Sequence, residues 1–451
     1  MPMINGCVRS RWILALAAAG VIVFGYPGLM AYDSCDQLDQ ARRWDLGDWH
    51  PPVMSALWRL VEVFIAGPFG MFALQVVGFV LGAYWILRHE IAPRRAAIAV
   101  TVIAWLPPIL TVMAVVWKDA QMAAYLLLGI AGLLATKRRW RYLGIAALVL
   151  ASAMRHNAAA ATLVPMVLLW SGAPQRWRRV LVGAGVWLAI TVASFAINQL
   201  LVETPQHPWT ISIATTDVVG TVRYAPPLSD AELRETLAGA PLLVDHDIQA
   251  AMIKRYDPRS WAIYYQFEPP LGRPATEVEH DAIARAWLSV VSAHPLAYLR
   301  HRIEVFRRVI HFGGKARVPI LTLEFTNDGD PALRERLAHR ASPSTFQSAL
   351  FWLVRRLGGI WYVAYIYIVV ALCLLPLARR HRLALALLGS GLCYELSLLF
   401  VAPSPDYRYS QWLMVTTGLA AVLVFARRYY GPGRAMPTSS DSARGPSPIS
   451  P

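Results

Sequence analysis

Residues 142–172 read YLGIAALVLASAMRHNAAAATLVPMVLLWSG, two apolar arms that meet at Arg155, His156 and Asn157. The segment is too long for one crossing of a bilayer, which takes about 20 residues, and too short for two. A single crossing would bury the arginine at mid-membrane and move the basic cluster at 176–179 to the outer side, against the positive-inside rule. We therefore expect two short helices that meet at Arg155 beside a protein cavity, because irregular backbone at that depth is tolerated only there.

Apolar stretches of membrane-crossing length make up most of the remaining chain. Short basic clusters separate them, and the positive-inside rule assigns these clusters to the cytoplasm. Together with the two short helices, the pattern predicts an all-α polytopic membrane protein with about ten transmembrane helices and both termini cytoplasmic. The clear spans are roughly 12–31, 71–87, 96–116, 120–136, 180–200, 359–377, 383–401 and 411–426.

Composition favours a membrane protein over other classes. Of the 451 residues, 56% are hydrophobic and 16% are charged, whereas soluble proteins carry about 25% charged residues. The net charge of +15 lies mainly in the connections between apolar stretches, which indicates cytoplasmic basic loops rather than nucleic-acid binding. The four cysteines are scattered without a CxxC motif, so we expect neither a disulfide framework nor a zinc site.

The longest connection between apolar stretches is too long for a simple loop, and we expect it to form a largely helical extracytoplasmic domain. Ser229 and Glu232 form a capping-box pattern there, and a second helical stretch at 276–312 is interrupted at His294-Pro295. We predict four units. The first is an N-terminal transmembrane module at 1–201, and its first extracytoplasmic loop, at 32–70, contains an interfacial helix at 53–66. The others are the loop domain at 202–345, a C-terminal interfacial helix with transmembrane helices at 346–430, and a disordered cytoplasmic tail at 431–451.

The polar residues that topology does not explain all fall on the extracytoplasmic face. Asp33 and Asp36 follow the first span, where a carboxylate suits a general base or a cation ligand, and a solvated acidic loop is the simpler alternative. Lys118 and Asp119 occupy a turn between two spans. Either they are ordinary polar turn residues that form a local ion pair, or Lys118 is a cation that faces an anionic lipid headgroup.

Two arginines are the more specific candidates for a phosphate contact. Arg155 needs a partner, either a buried carboxylate or a phosphate, whose geometry a guanidinium matches with two hydrogen bonds. Arg408, in the turn Asp406-Tyr407-Arg408-Tyr409, is a second candidate for a phosphate contact, although tyrosines are also common at membrane interfaces. The histidines show no metal-ligand spacing, so we expect no cofactor, while a divalent cation stays open.

The order of these motifs resembles that of the GT-C superfamily of integral-membrane glycosyltransferases. An aspartate follows the first helix, and then come Trp-His-Pro-Pro at 49–52, a Lys-Asp turn, an Arg-His-Asn apex, a large outer domain and a Pro-Asp-Tyr-Arg-Tyr turn. The chain is most similar to the bacterial relatives of protein O-mannosyltransferases and lipid A aminoarabinose transferases. It departs from many relatives at Asp33-Ser34, where they have Asp-Glu, and Asp36 is a candidate substitute for the second acid.

The resemblance implies an enzyme of the bacterial inner membrane, a hexosyl- or pentosyltransferase that uses a polyprenyl-phosphate sugar donor on the extracytoplasmic face. A hydroxyl of a lipid, glycan or protein acceptor would attack the anomeric carbon with inversion, while Asp33 or Asp36 takes its proton. Three basic residues would neutralise the leaving phosphate, namely Lys118, Arg155 and Arg408. The other predicted substrate-binding residues are His50, Asp119, His156, Asn157 and Tyr407.

Two alternatives to a transferase remain open, a transporter or flippase of lipid-linked saccharides and a polymerase or ligase of surface polysaccharide. A transporter usually distributes polar residues along several helices near the midplane, often within internal repeats. Here the unexplained polar residues gather at one face and no repeat is visible, which favours the enzyme. The chain also has no Walker motif, which argues against an ATP-driven pump.

Overall fold

The regular secondary structure of the described residues is helical. Among the described residues every regular element is a helix, and extended pairing is limited to two isolated bridges, Leu29 with Val115 and Gly47 with Thr204. The predicted all-α class is therefore confirmed. The computed structural model describes residues 2–170, 175–244, 246–260, 262–267, 270–313, 337, 344–357 and 361–430.

Ten helices form the first part of the chain. Their apolar faces pack with those of the last helices into one large core, because a helix that is hydrophobic on most sides must be covered by other helices or by lipid. The ten are α1 (Pro2–Gly25), α2 (Tyr32–Arg43), α3 (Val53–Glu62), α4 (Phe69–Arg88), α5 (Pro93–Ala104), α6 (Pro107–Met113), α7 (Lys118–Leu133), α8 (Arg138–Met154), α9 (Ala158–Leu169) and α10 (Arg176–Leu201).

The long loop region folds around a separate apolar core. The Glu232 N–H donates to Ser229 Oγ at 3.3 Å, which confirms the predicted capping box, and a break at His294 separates two helices as predicted. The region begins with a short π-helix (Trp209–Ala214) and continues with α11 (Thr215–Tyr224), α12 (Asp230–Thr236), α13 (Ile248–Arg255), α14 (Ala262–Tyr265), α15 (Glu277–Ala293) and α16 (Pro295–Val309).

The C-terminal part returns to the large core. A one-turn 3₁₀ segment, Tyr407–Ser410, joins its last two helices and carries Arg408. The predicted tail at 431–451 lies outside the described residues. The helices of this part are α17 (Thr345–Leu357), α18 (Ala364–Ala378), α19 (Arg382–Val401) and α20 (Gln411–Tyr430).

Four helical segments are long and apolar enough to cross a membrane, and the bent pair α5–α6 adds a fifth if it counts as one span. The predicted count of ten, and the side on which each end lies, stay predictions. The other predicted spans coincide with α1, α7, the pair α8 and α9, and α18. The four long segments are Phe69–Arg88, Arg176–Leu201, Arg382–Val401 and Tyr407–Arg428.

The span predicted at 96–116 is not one straight helix. Helices α5 and α6 are bent by 79° at a short break. The cause lies in Pro107 and Pro108 at the start of α6, because a residue before proline is disfavoured in the helical conformation. Leu106 accordingly has φ −58° and ψ 129° and ends the run.

The segment at 142–172 forms the two helices that the sequence predicts, with the break at Arg155. Arg155 has φ −148° and ψ 123°, an extended conformation that stops α8, and α9 begins at Ala158. Asn198 on α10 stabilises the break from outside, because its Nδ2 donates to the Ala153 carbonyl at 2.9 Å. The bond satisfies a carbonyl that the helix end leaves free.

The first helix ends earlier than the predicted residue 31. Helix α1 stops at Gly25, and the chain then runs extended, so that the Leu29 N–H donates to the Ala114 carbonyl at 3.0 Å and the Val116 N–H donates to the Leu29 carbonyl at 2.9 Å. Apolar content alone cannot distinguish this buried extended segment from helix. The pairing brings the start of α2 beside the start of α7.

Candidate functional site

Polar side chains from five segments meet near the N-terminus of α7. The segments are the start of α2, the loop before α3, the start of α7, the break between α8 and α9, and the 3₁₀ segment before α20. Ser34 strengthens the pairing of the first and third segments, because its Oγ donates to the Val116 carbonyl at 2.7 Å. Residues far apart in sequence thus form one cluster, as the shared extracytoplasmic face predicts.

Asp33, at the start of α2, is held by basic groups on two sides. Arg408 Nη2 lies 2.9 Å from Asp33 Oδ2, and His50 Nε2 lies 3.6 Å from Oδ1. Arg408 is itself fixed by Asp406, with Nε and Oδ2 2.8 Å apart, and it lies over the Trp117 ring at 4.7 Å. Burial alone would raise the pKa of Asp33, but Arg408 and the other basic groups hold it well below its usual range. Asp33 is therefore a permanently charged anchor and a weak proton acceptor.

Asp36 lies one helical turn further along α2 in a different environment. Its Oδ2 accepts a hydrogen bond from Gln40 Nε2 at 2.8 Å. Burial, and then the negative charge of Asp33, raise the pKa of Asp36 to about 6. A carboxylate whose pKa lies close to neutral pH is suited to general base catalysis.

Arg155 forms a buried ion pair with Asp119. Its Nη1 donates to Asp119 Oδ1, and the two side chains are 10% and 1% exposed. Arg155 Nε also donates to Asn157 Oδ1 at 3.3 Å, and the guanidinium lies 4.6 Å from the Tyr409 ring centroid. The carboxylate partner is therefore present, which is the ion-pair alternative of the two that the sequence leaves open. A phosphate contact by Arg155 stays a prediction.

Lys118 is the cation of the cluster that lacks a carboxylate within ion-pair distance among the described residues. Its Nζ lies 2.6 Å from His50 Nδ1. Burial, and then the positive charge of Lys118, lower the pKa of His50 to about 3, so the imidazole is neutral at pH 7. Its Nδ1 must then accept from the ammonium group, which assigns the imidazole proton to Nε2.

Two buried side-chain donors without acceptors belong to residues next to Lys118, namely its contact His50 and its chain neighbour Trp117. His50 Nε2 and Trp117 Nε1 are buried and make no hydrogen bond within the part of the chain that the structure describes. The N-terminus of α7 begins directly after Trp117 and has no side-chain cap, so its first N–H groups add to the donors. Buried donors, a lysine and the positive end of a helix are features that favour the binding of an anion.

Two of the predicted substrate-binding residues point elsewhere. His156 is exposed and stacks on Phe195 of α10, with ring centroids 4.8 Å apart. The hydroxyl of Tyr407 is hydrogen-bonded to Thr111 Oγ1 at 3.0 Å, which ties the 3₁₀ segment to α6. Both contacts hold neighbouring segments together.

The cluster also contains three residues that the sequence analysis did not assign to the site. Asp406 and Trp117 fix Arg408, and Tyr409 lies against Arg155. Each is next to a predicted residue or two positions from one, so adjacency was the available signal. Trp117 carries little information in sequence, because a tryptophan at the end of an apolar run is also typical of a membrane interface.

No metal centre is formed by the described residues. Among them, no group of three or more histidine, cysteine, aspartate or glutamate side chains is arranged to hold a metal ion. The carboxylates of the cluster lie instead against arginines, as described for Asp33 and Asp119.

Comparison with known proteins gives one weak match. No protein-family model and no curated protein matches the chain. Among solved structures, the chain is similar to the crystal structure of ArnT from Cupriavidus metallidurans bound to undecaprenyl phosphate, with 16% sequence identity and a TM-score of 0.34 over 93% of this chain and 77% of that chain. ArnT is a GT-C lipid A aminoarabinose transferase, the class that the sequence motifs resemble. With a TM-score below 0.5, the likeness itself carries no argument about fold, site or function.

Proposed function

We propose that the protein is a membrane glycosyltransferase that moves a sugar from a polyprenyl-phosphate donor to an acceptor hydroxyl. The observation that carries the proposal is the anion-binding site at Lys118. A half-buried lysine with no carboxylate within ion-pair distance, two buried donors without acceptors and an uncapped helix start, all judged among the described residues, would together hold a phosphate group. The order of the sequence motifs, which resembles that of GT-C glycosyltransferases, supports a lipid-linked phosphate as the ligand.

In the proposed reaction the acceptor oxygen forms a bond to the anomeric carbon, and the bond from that carbon to the phosphate oxygen breaks. The proton of the acceptor hydroxyl passes to a carboxylate, and the bonding electrons leave with the polyprenyl phosphate. Lys118, His50 Nε2–H and Trp117 Nε1–H stabilise the added charge on the phosphate. A single displacement of this kind inverts the anomeric configuration.

The two aspartates of α2 have different roles in this proposal. Asp36 is the general base, because a pKa of about 6 leaves it ionised at pH 7 and still able to take a proton. Asp33 holds Arg408 in place through its fixed negative charge. The reaction takes place at the extracytoplasmic side of a bacterial inner membrane, where the positive-inside rule puts this face.

A binding experiment tests the anion site directly. Full-length protein in phosphatidylcholine nanodiscs should bind undecaprenyl phosphate, the ligand named for the ArnT structure, more tightly than undecaprenol, which lacks the phosphate. Lys118→Met should remove at least about tenfold of that preference, since a hydrogen bond to a charged group contributes about 1.5–3 kcal/mol. Lys254→Met, at an exposed lysine of α13, is the matched control. An unchanged preference in Lys118→Met would remove the basis of the proposal.

A cellular comparison tests the transfer reaction. Surface glycans and lipid A from cells with the protein, without it and with Lys118→Met should be compared by mass spectrometry. We expect one sugar modification to be present only with the unaltered protein. Identical glycans and lipids in all three strains would contradict a transferase that acts on the cell envelope.

One observation favours the transporter alternative. The predicted span at 96–116 is broken between α5 and α6, and the predicted short helices α8 and α9 meet at a break at Arg155. Discontinuous helices are typical of transporter binding sites. Proteoliposomes that contain a sugar-labelled polyprenyl-phosphate donor separate the two functions. A transporter moves the intact lipid between leaflets, whereas the proposed enzyme breaks the bond between sugar and phosphate and releases polyprenyl phosphate.

A further inference from the structure

Arg302 of α16 is a fully buried arginine that joins the loop domain to the end of a helix in the large core. Its Nε donates to the Leu399 carbonyl at 2.8 Å and its Nη2 to the Ala402 carbonyl at 3.1 Å. These carbonyls lie at the C-terminal end of α19, where a helix leaves its last four carbonyl groups without partners. A positive charge at that end is also stabilised by the helix dipole.

The loop domain supplies the counter-charge for Arg302. Asp217 on α11 is 1% exposed, and its Oδ1 lies 3.2 Å from Arg302 Nη1 and 3.2 Å from His301 Nε2. The other carboxylate oxygen, Oδ2, accepts from Trp287 Nε1 at 3.0 Å. Both oxygens of Asp217 are thus used, so its position is fixed by three helices, α11, α15 and α16.

A second contact from the loop domain holds the chain just beyond α19. The Ser260 N–H donates to the Pro403 carbonyl at 3.0 Å. From there the chain runs Pro403-Ser404-Pro405 into Asp406, and each proline ring fixes its φ angle. Because this segment is stiff, a displacement of Pro403 should also displace Asp406.

We infer that Arg302 is a positioning residue for the candidate site, acting through this segment on Arg408. Asp406 and Arg408 form an ion pair directly after the two prolines, and Arg408 contacts Asp33. The contacts of Arg302 therefore determine where the guanidinium of Arg408 lies relative to Asp33. The functional part of this inference rests on the proposed glycosyltransferase activity, whereas the structural coupling does not.

Hydrogen exchange measures the structural coupling without any assay of activity. Arg302→Lys keeps the charge beside Asp217 but loses the planar fork that reaches two carbonyls. In nanodiscs, we expect amide exchange in the peptide 404–410 to become at least about fivefold faster, while Arg300→Lys, two residues away on the exposed side of α16, leaves it unchanged. Unchanged exchange in Arg302→Lys would overturn the inference, whatever the activity of the variant.

A double-mutant cycle tests whether the coupling reaches Arg408. Sugar-transfer rates should be measured for Arg302→Lys, Arg408→Lys and the double variant. If Arg302 acts through Arg408, the double variant should be little slower than the slower single variant, whereas independent effects would multiply. Multiplying effects would overturn the positioning role. If amide exchange is faster in Arg302→Lys but even the unaltered protein transfers no sugar, the structural coupling is supported and the proposed function is contradicted.

Discussion

Asp33 and Asp36 show how two identical side chains on one helix face acquire different chemistry. Arg408 and His50 surround the first, whereas the second has a glutamine and a neighbouring negative charge. The pKa of Asp33 therefore lies well below its usual range, and that of Asp36 rises to about 6. Groups whose environments separate their pKa values in this way are candidates for separate roles in acid–base chemistry.

Replacing Asp36 should abolish most of the transfer activity. Asp36→Asn removes the proton acceptor and keeps the size of the side chain, so we expect a rate loss of about 100-fold or more. The control is Asp281→Asn, at an exposed aspartate of α15. In vitro transfer from the lipid-linked donor provides the measurement. Normal transfer by Asp36→Asn would assign the base elsewhere.

The pH dependence should report the same carboxylate. A general base must be ionised, so the rate should fall about tenfold per pH unit once the pH is well below the pKa of about 6. In Asp36→Asn this acidic limb should disappear from the residual activity. A limb that persists in the variant would belong to another group.

Breaking the Arg155–Asp119 pair should affect stability. Arg155→Gln leaves Asp119, which is 1% exposed, without its counter-charge, and removing one partner of a buried pair costs about 3–5 kcal/mol. The melting temperature in detergent should fall clearly. The double variant Arg155→Met with Asp119→Leu should recover most of the loss, because an apolar pair strands no charge. Near-normal melting of Arg155→Gln together with weaker binding of undecaprenyl phosphate would instead support the phosphate contact.

At the scale of residues, the sequence predicted the meeting of Asp33, His50, Lys118 and Arg408 because all four fall on one face of the topology. It left the pairing of cations with carboxylates open, including whether Arg155 pairs with Asp119 or with a phosphate. The pairing depends on the local backbone conformation that orients each side chain, such as the extended conformation of Arg155, and the sequence pattern does not reveal it.

At the scale of elements, the sequence predicts some helix breaks better than others. The break at Arg155 was predictable because the apolar segment had an unsuitable length and a charge at its centre. The bend between α5 and α6 follows from Pro107 and Pro108, yet the continuous apolar pattern hides it. The early end of α1 coincides with Gly25-Tyr26-Pro27-Gly28, a break signal within an otherwise apolar run, and pairing with Val115 holds the chain beyond it.

Helices α7 and α8 approach so closely that glycines are needed at their contact. A Cβ atom on Gly144 would lie 2.8 Å from the Cα of Gly132 and 2.9 Å from the Gly129 carbonyl oxygen, both backbone atoms. Small residues allow this approach between membrane helices. Gly144→Ala should therefore force the helices apart and cost about 1–3 kcal/mol, seen as a lower melting temperature.

Gly185 on α10 offers the matched control for this substitution. A Cβ atom there would meet nothing within 4 Å. Gly185→Ala should leave the melting temperature unchanged or raise it slightly, since alanine favours the helix by about 0.8–1.0 kcal/mol over glycine. Equal losses in both variants would show that backbone contact between α7 and α8 is not the cause.

At the scale of the whole molecule, one surface unites the candidate site and the loop domain. Asp48 accepts a hydrogen bond from the Gln206 N–H, Gly47 pairs with Thr204, and Arg302 reaches α19 from the other side of the site. The loop region therefore contacts the segments before His50 and before Arg408. Whether this surface faces outward is a question of topology, which the positive-inside rule answers only as a prediction.

Labelling of single cysteines in intact cells tests that prediction. The four native cysteines would first be replaced by serine, and a reporter cysteine would be introduced either at Ala238, exposed in the loop domain, or at Thr136, exposed between α7 and α8 beside a basic cluster. Because basic loops remain in the cytoplasm, a membrane-impermeant maleimide should label Ala238→Cys but label Thr136→Cys only after the cells are permeabilised. The permeabilised sample is the control for accessibility of both sites. If Thr136→Cys is labelled in intact cells and Ala238→Cys is protected, the topology is the inverse of the predicted one. The proposed anion-binding site at Lys118 would then lie on the cytoplasmic face, which contradicts an extracytoplasmic reaction.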